Sequence, residues 1–148
     1  MFKGIDLFSD TISLPTPEMK KAMFEAELGD EQKGEDPTTR KLEEMIAEML
    51  GFSAAMFFPS ATMANEIAIS TLCEPGNELL AAENCHLFFA EVGGPAVHAK
   101  VICKPISTST GIFTADAIKQ KYRFMKGLHF HKTVFLLNSI GGEYPGAS

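Results

Sequence analysis

A chain of 148 residues with 45% hydrophobic and 22% charged residues has the size and composition of one soluble domain with a sizeable core. Its net charge of −6 lacks the basic footprint that nucleic acid or an anionic membrane surface needs, and no apolar run approaches the roughly 20 residues of a membrane span. The first residues, Met1 to Asp6, hold no signal-like apolar core, and Cys73, Cys85 and Cys103 form neither a CxxC nor a zinc pattern, so no metal is expected and the thiols read as reduced, in a cytosolic (cytoplasmic) protein.

Ile5 to Ser13 interleaves Asp6, Ser9, Asp10 and Thr11 with Leu7, Phe8 and Ile12, which reads as an extended arm. Thr16 then caps a helix with Pro17 at its first position, where a missing N–H costs nothing. Met19, Ala22, Met23 and Ala26 give it an apolar stripe at helical spacing. The polar, glycine-bearing stretch from Gly29 to Asp36 reads as a loop. Asp36-Pro37 opens the clearest helix of the chain, with Leu42, Met45, Ile46, Met49 and Leu50 on one face as expected core packing and Gly51 as its C-terminal cap.

Ala54 to Phe58 is a short apolar run that predicts a buried strand, ended by Pro59. Ser60-Ala61-Thr62 then opens a helix running through Met63, Ile67, Ala68 and Leu72 and stopping before Glu74-Pro75-Gly76. The first turn of a helix has backbone N–H groups without intrahelical partners and the positive end of the macrodipole, which makes it a ready anion site. Ser60 and Thr62 add hydroxyls there, and Ala61 presents a single methyl group. Read alone, Ser60 is equally a plain helix cap.

Leu79 to Ala82 reads as a short strand, left through Glu83-Asn84-Cys85-His86. Leu87 to Val92 reads as a short helix ended by Gly93-Gly94, and Lys100 to Lys104 as a strand followed by Pro105. Ser107 to Gly111 is a loop, Thr114 caps a helix reaching Tyr122, and Thr133 to Leu137 is a further strand. Strands alternating with helices at this spacing predict an α/β fold with a mostly parallel sheet covered on both faces. Ligands gather at the carboxyl ends of such strands, where the Ser60-Ala61-Thr62 and Glu83-to-His86 turns are expected. Neither a G-x-x-x-x-G-K-[ST] loop nor a G-x-G-x-x-G turn occurs, which argues against a plain nucleotide-binding module.

Five segments appear in order: Ile5-Asp6-Leu7-Phe8-Ser9-Asp10-Thr11, Pro15-Thr16-Pro17-Glu18-Met19, Gly34-Glu35-Asp36-Pro37-Thr38, Phe58-Pro59-Ser60-Ala61-Thr62-Met63-Ala64-Asn65, and His86 with Glu91-Val92-Gly93-Gly94. The set resembles the amino-terminal part of the low-specificity threonine aldolase and β-eliminating lyase family. The resemblance implies an aspartate-aminotransferase-like (fold type I) large domain that uses pyridoxal phosphate. It implies that residues 1–148 form an amino-terminal arm and the first part of that domain, with the rest of it and a small carboxy-terminal domain absent. Ala61 and Thr62 match the segment that binds the cofactor phosphate, with alanine where the family usually has glycine. His86 matches the histidine whose ring stacks on the cofactor, His129 a second active-site histidine, and Ser9 a serine near the substrate carboxylate.

In this family the lysine for the Schiff base, the carboxylate partner of the pyridinium nitrogen and an arginine for the substrate carboxylate follow the region matched here. The expected activity is therefore that of a longer enzyme, cleaving a β-hydroxy-α-amino acid such as threonine or allo-threonine to glycine and an aldehyde, with a small amino-acid substrate and a homodimer or homotetramer as its assembly. The alternatives are a β-eliminating lyase of the same fold, or a non-catalytic fragment that acts only by association. The 148 residues alone are expected to show no turnover.

Overall fold

The computed structural model describes residues 12–122 and 133–135. Internal contacts divide the chain into two compact units, Met1–Pro59 and Ser60–Ser148. The expected arm lies almost wholly outside the described residues, as do Ser9 and His129.

In the first unit the helices start where their caps stand. Helix α1 spans Pro17–Glu25, with the Thr16 hydroxyl accepting from the Met19 N–H at 3.2 Å. Helix α2 spans Pro37–Leu50, and Asp36 serves both it and the loop before it. One carboxylate oxygen accepts from the Thr39 N–H at 2.7 Å, the other from the Gly29 N–H at 3.0 Å. These two donors hold the Asp36 carboxyl below the usual range, because they bind only its charged form. Gly29 also permits the close approach of the loop, since a β-carbon there would run into the Glu35 carbonyl. Gly51 ends α2 in the left-handed conformation at φ 72°, as expected of a glycine cap.

Two expectations for this unit fail. The apolar face of α2 is not a packed core. Only Ala47 is buried, and Leu42, Met45, Met49 and Leu50 are exposed. Helical periodicity marks a face that can be buried and does not supply the surface that buries it. Ala54 to Phe58 forms no strand and is mostly exposed. A strand needs neighbours for its N–H and C=O groups, whereas here the Phe57 N–H donates to the Glu43 carboxylate at 2.7 Å.

The second unit opens with helix α3, Ala61–Leu72. Strand β1, Glu78–Ala82, follows and lies in the middle of a parallel sheet of order β2-β1-β3, where β2 is Ile102–Ile106 and β3 is Thr133–Phe135. Glu78 is in register with Ile102 and with Thr133. Between β1 and β2 run two short helices, α4 at His86–Phe89 and α5 at Gly94–His98, and α6 at Ala115–Lys121 lies between β2 and β3. This is the α/β alternation expected, with each parallel pair joined by a helical crossover.

Every residue of β1 is buried, so both of its faces are covered. Ile69 of α3 and Cys73, just past its end, meet Leu79, Ala81 and Ala82 of β1, together with Cys85, Leu87, Ala99 and Val101, in one core cluster. The face of α3 turned inward thus carries Glu66 and Ile69, while Met63, Ile67 and Leu72 stay exposed. Lys104 of β2 pairs with Glu78 of β1 at 3.1 Å and also donates to the Lys121 carbonyl at 3.1 Å.

Strand β2 begins two residues later than expected and contains Pro105 instead of ending before it. Proline is compatible with an edge strand because its missing N–H can fall on the unpaired side. Gly93, expected to close a helix, instead precedes α5. No helix among the described residues is long and apolar enough to cross a membrane.

Candidate active site

The start of α3 is built by Ser60, which is extended at φ −147° and accepts from the Met63 N–H through its hydroxyl at 3.1 Å. Ala61 and Thr62 are the first two helical residues, both exposed, and as first-turn residues their N–H groups have no carbonyl of their own helix to meet. Ala61 is not among the residues with positive φ, so alanine carries no backbone strain where a left-handed conformation would have demanded glycine. Ser60 is thus a cap, and Ala61 and Thr62 stand in the first turn, the kind of position whose N–H groups can receive an anion.

His86 is the first residue of α4, directly past the carboxyl end of β1. Its Nδ1 lies 2.9 Å from Glu91 Oε1, and its side chain is 46% exposed while that of Glu91 is fully buried. Asn65 Nδ2, from α3, donates to the same Glu91 oxygen at 2.8 Å. One buried carboxylate therefore ties the imidazole to α3, one helical turn, about 6 Å, beyond Ala61. With Nδ1 engaged, Nε2 is the ring nitrogen left for other partners.

The backbone directly after Glu91 is unusual. Val92 has φ 56° and Gly93 φ 118°, so two consecutive residues in left-handed conformations turn the chain between α4 and α5. For a β-branched residue this conformation is strained. Beside Glu91 lies a second buried acid, Glu66 of α3. Burial raises its carboxyl pKa above the usual range, the neighbouring Glu91 carboxylate raises it further, and His98 opposes the shift. The same surroundings push the Cys103 thiol up, through burial and then the charges of Glu66 and Cys85, so it is an inert thiol.

Of the residues singled out in the sequence, the structure describes Ala61, Thr62 and His86. It joins His86 to α3 through Glu91 and Asn65, whereas Ser9 and His129 fall outside the described residues. Sequence reasoning gave no role to Asn65 and Glu91, although both stand inside the ordered segments. It passed over Glu66 altogether, because a glutamate within an amphipathic helix reads as a solvated charge; its only signal is its position three residues before Ile69 on what proves to be the buried face.

Comparison with known proteins fits this arrangement. The chain is 37% identical over 139 residues to low-specificity L-threonine aldolase 1 of Arabidopsis thaliana, covering 93% of this chain and 39% of that protein. It is 36% identical over 133 residues to the low specificity L-threonine aldolase of Escherichia coli, covering 89% of this chain and 40% of that one. The low specificity L-threonine aldolase of Saccharomyces cerevisiae is 39% identical over 119 residues, covering 79% of this chain and 31% of the yeast protein. The chain thus spans about two-fifths or less of the length of these relatives. The family profile described as beta-eliminating lyase matches residues 6–144, nearly the whole sequence, and the chain belongs to that family.

Proposed function

We propose that this chain supplies the phosphate-holding helix and the imidazole of a pyridoxal-phosphate-dependent lyase that cleaves β-hydroxy-α-amino acids, such as threonine or allo-threonine, into glycine and an aldehyde. The observation that carries the reading is the hydrogen-bonded chain from His86 through Glu91 to Asn65, which ties an accessible imidazole to α3. The residues present fit the cofactor. A dianionic phosphate suits the N–H groups of Ala61 and Thr62 and the Thr62 hydroxyl at the positive end of α3. A half-exposed imidazole held at one nitrogen suits an aromatic ring.

When bound, pyridoxal phosphate supplies an electron sink for the charge left at Cα as the Cα–Cβ bond breaks. The chain's own contribution is orientation and proton handling. Glu91 fixes the His86 ring plane and favours the tautomer with its hydrogen on Nδ1. His86 then holds or moves a proton at Nε2, and His129 stands as a second candidate for that role. Ser9 is proposed at the substrate carboxylate. The proposed fold is the aspartate-aminotransferase-like large domain, whose remaining strands, Schiff-base lysine and pyridinium-facing carboxylate come from the rest of a longer chain. That protein is proposed as a cytoplasmic homodimer or homotetramer with a small amino-acid substrate and with neither nucleic acid nor a membrane as partner.

The family description itself favours a second reading, β-elimination, which releases ammonia and a keto acid. One experiment separates the two. The longer protein carrying this chain is supplied with pyridoxal phosphate and threonine, and the products are identified. Glycine and acetaldehyde in equal amounts support the aldolase reading, ammonia and a keto acid support elimination, and no cofactor-dependent product of either kind overturns both.

A further inference from the structure

Three of the four oxygens of Glu66 and Glu91 are buried without a hydrogen-bond partner among the described residues: Glu66 Oε1, Glu66 Oε2 and Glu91 Oε2. Two ionised carboxylates in contact, both removed from water, would leave these three oxygens without donors and would repel one another. The fourth oxygen, Glu91 Oε1, is saturated by His86 and Asn65. Gly94 of α5 lies against the site, since a β-carbon there would run into the Glu66 carboxyl. A single added proton cancels one charge and turns one orphaned acceptor into a donor to another, leaving only one oxygen of a neutral carboxyl without a donor.

We propose that Glu66 is the protonated member of a carboxyl–carboxylate pair with Glu91, and that this shared proton holds Glu91 as the charged acceptor that orients His86, so that both glutamates are positioning residues for the imidazole. The division of roles follows from the neighbours. Glu91 has the donors that favour a charge, the His86 ring and the Asn65 amide. Glu66 has none among the described residues; the ionisable groups around it are Glu91 beyond α4, His98 on α5 and the Cys103 thiol on β2, with Cys85 beside the latter. Its raised pKa agrees with the geometry. The role assigned to His86 rests on the function proposed above, but the shared proton does not.

The experiment is isotope-edited infrared spectroscopy of the full chain, with glutamate carboxyls labelled with carbon-13, at about pH 7, where exposed carboxylates are ionised. The expected result is a protonated-carboxyl carbonyl band in the wild type that is absent in Glu66→Gln. Glutamine keeps the shape and a donor N–H toward Glu91, so nitrogen-15 spectra should show neutral His86 still carrying its hydrogen on Nδ1 in Glu66→Gln and losing that preference in Glu91→Leu. No protonated band in the wild type overturns the proposal without requiring any variant to fold. Persistence of the band in Glu66→Gln, or an unchanged His86 tautomer in Glu91→Leu, also overturns it. All these measurements are made without cofactor or substrate, so they succeed or fail independently of the product assay.

Discussion

Ile69 is the side chain that fastens α3 to the sheet, and its truncation gives a graded test of the way the site is mounted. It is wholly buried, within the cluster that contains Leu79 and Ala81 of β1. Ile69→Ala removes three carbons, or about 2.4 kcal/mol at roughly 0.8 kcal/mol per buried methylene. The cavity left behind brings the expected cost to about 2–5 kcal/mol, and Ile69→Val should cost about 0.5–1.5 kcal/mol. Ile67, two residues earlier on the same helix, is 39% exposed, so Ile67→Ala is the control and should cost less than about 1 kcal/mol. Urea unfolding of the variants at unchanged slope gives the differences directly. Because α3 also carries Asn65, and Asn65 shares Glu91 with His86, Ile69→Ala should broaden the His86 ring resonances while Ile67→Ala leaves them sharp. Equal costs for Ile69→Ala and Ile67→Ala would refute the packing argument for α3.

Ser60→Ala removes the α3 cap and should cost about 1 kcal/mol in the same unfolding assay, with Ser60→Gly milder by comparison; no loss in either would refute the cap. Val92 is 86% exposed and strained at φ 56°, so Val92→Gly or Val92→Asn should stabilise by up to about 1 kcal/mol, read as a rise in Tm; a fall would mean that the side chain is needed there. Two pH effects have opposite signs. Folding lowers the Asp36 pKa, so its contribution is present above the ordinary carboxylate range and lost as pH falls through the depressed folded value; Asp36→Ala should flatten that acid limb. Folding raises the Glu66 pKa, so the folded state binds the extra proton and stability falls as pH rises from the ordinary range toward the raised value; Glu66→Gln should remove this slope, and an unchanged slope would contradict the assignment.

The parts of the fold that were legible in the sequence are those set by contacts a few residues long. Thr16-Pro17, Asp36-Pro37, Ser60 and Thr114 each mark a helix start to the residue, because a cap needs only its own first turn. What failed depends on distant neighbours. The apolar run Ala54 to Phe58 has the composition of a strand but no ladder, and the face of α2 has the periodicity of a core helix without a covering layer. Pro105 looks like a terminator until one knows that β2 is an edge. His86 was legible only through its likeness to a family, since a lone histidine after a strand has many ordinary explanations. Glu66 and Glu91 were not legible as a pair because they lie 25 positions apart, with a strand and a short helix between them.

The edge position of β2 carries a consequence for how the sheet can be extended. Ile102 donates its N–H to the Asn77 carbonyl, and the Ile106 carbonyl accepts from Glu83, so alternate residues 102, 104 and 106 direct their polar backbone groups toward β1. Cys103 and Pro105 therefore face the other way. A strand arriving on that side meets a pyrrolidine ring in place of a donor, which blunts the rim against accidental partners. The opposite flank, beyond β3, has no such obstruction in the described ladder, and added strands would find their hydrogen bonds there.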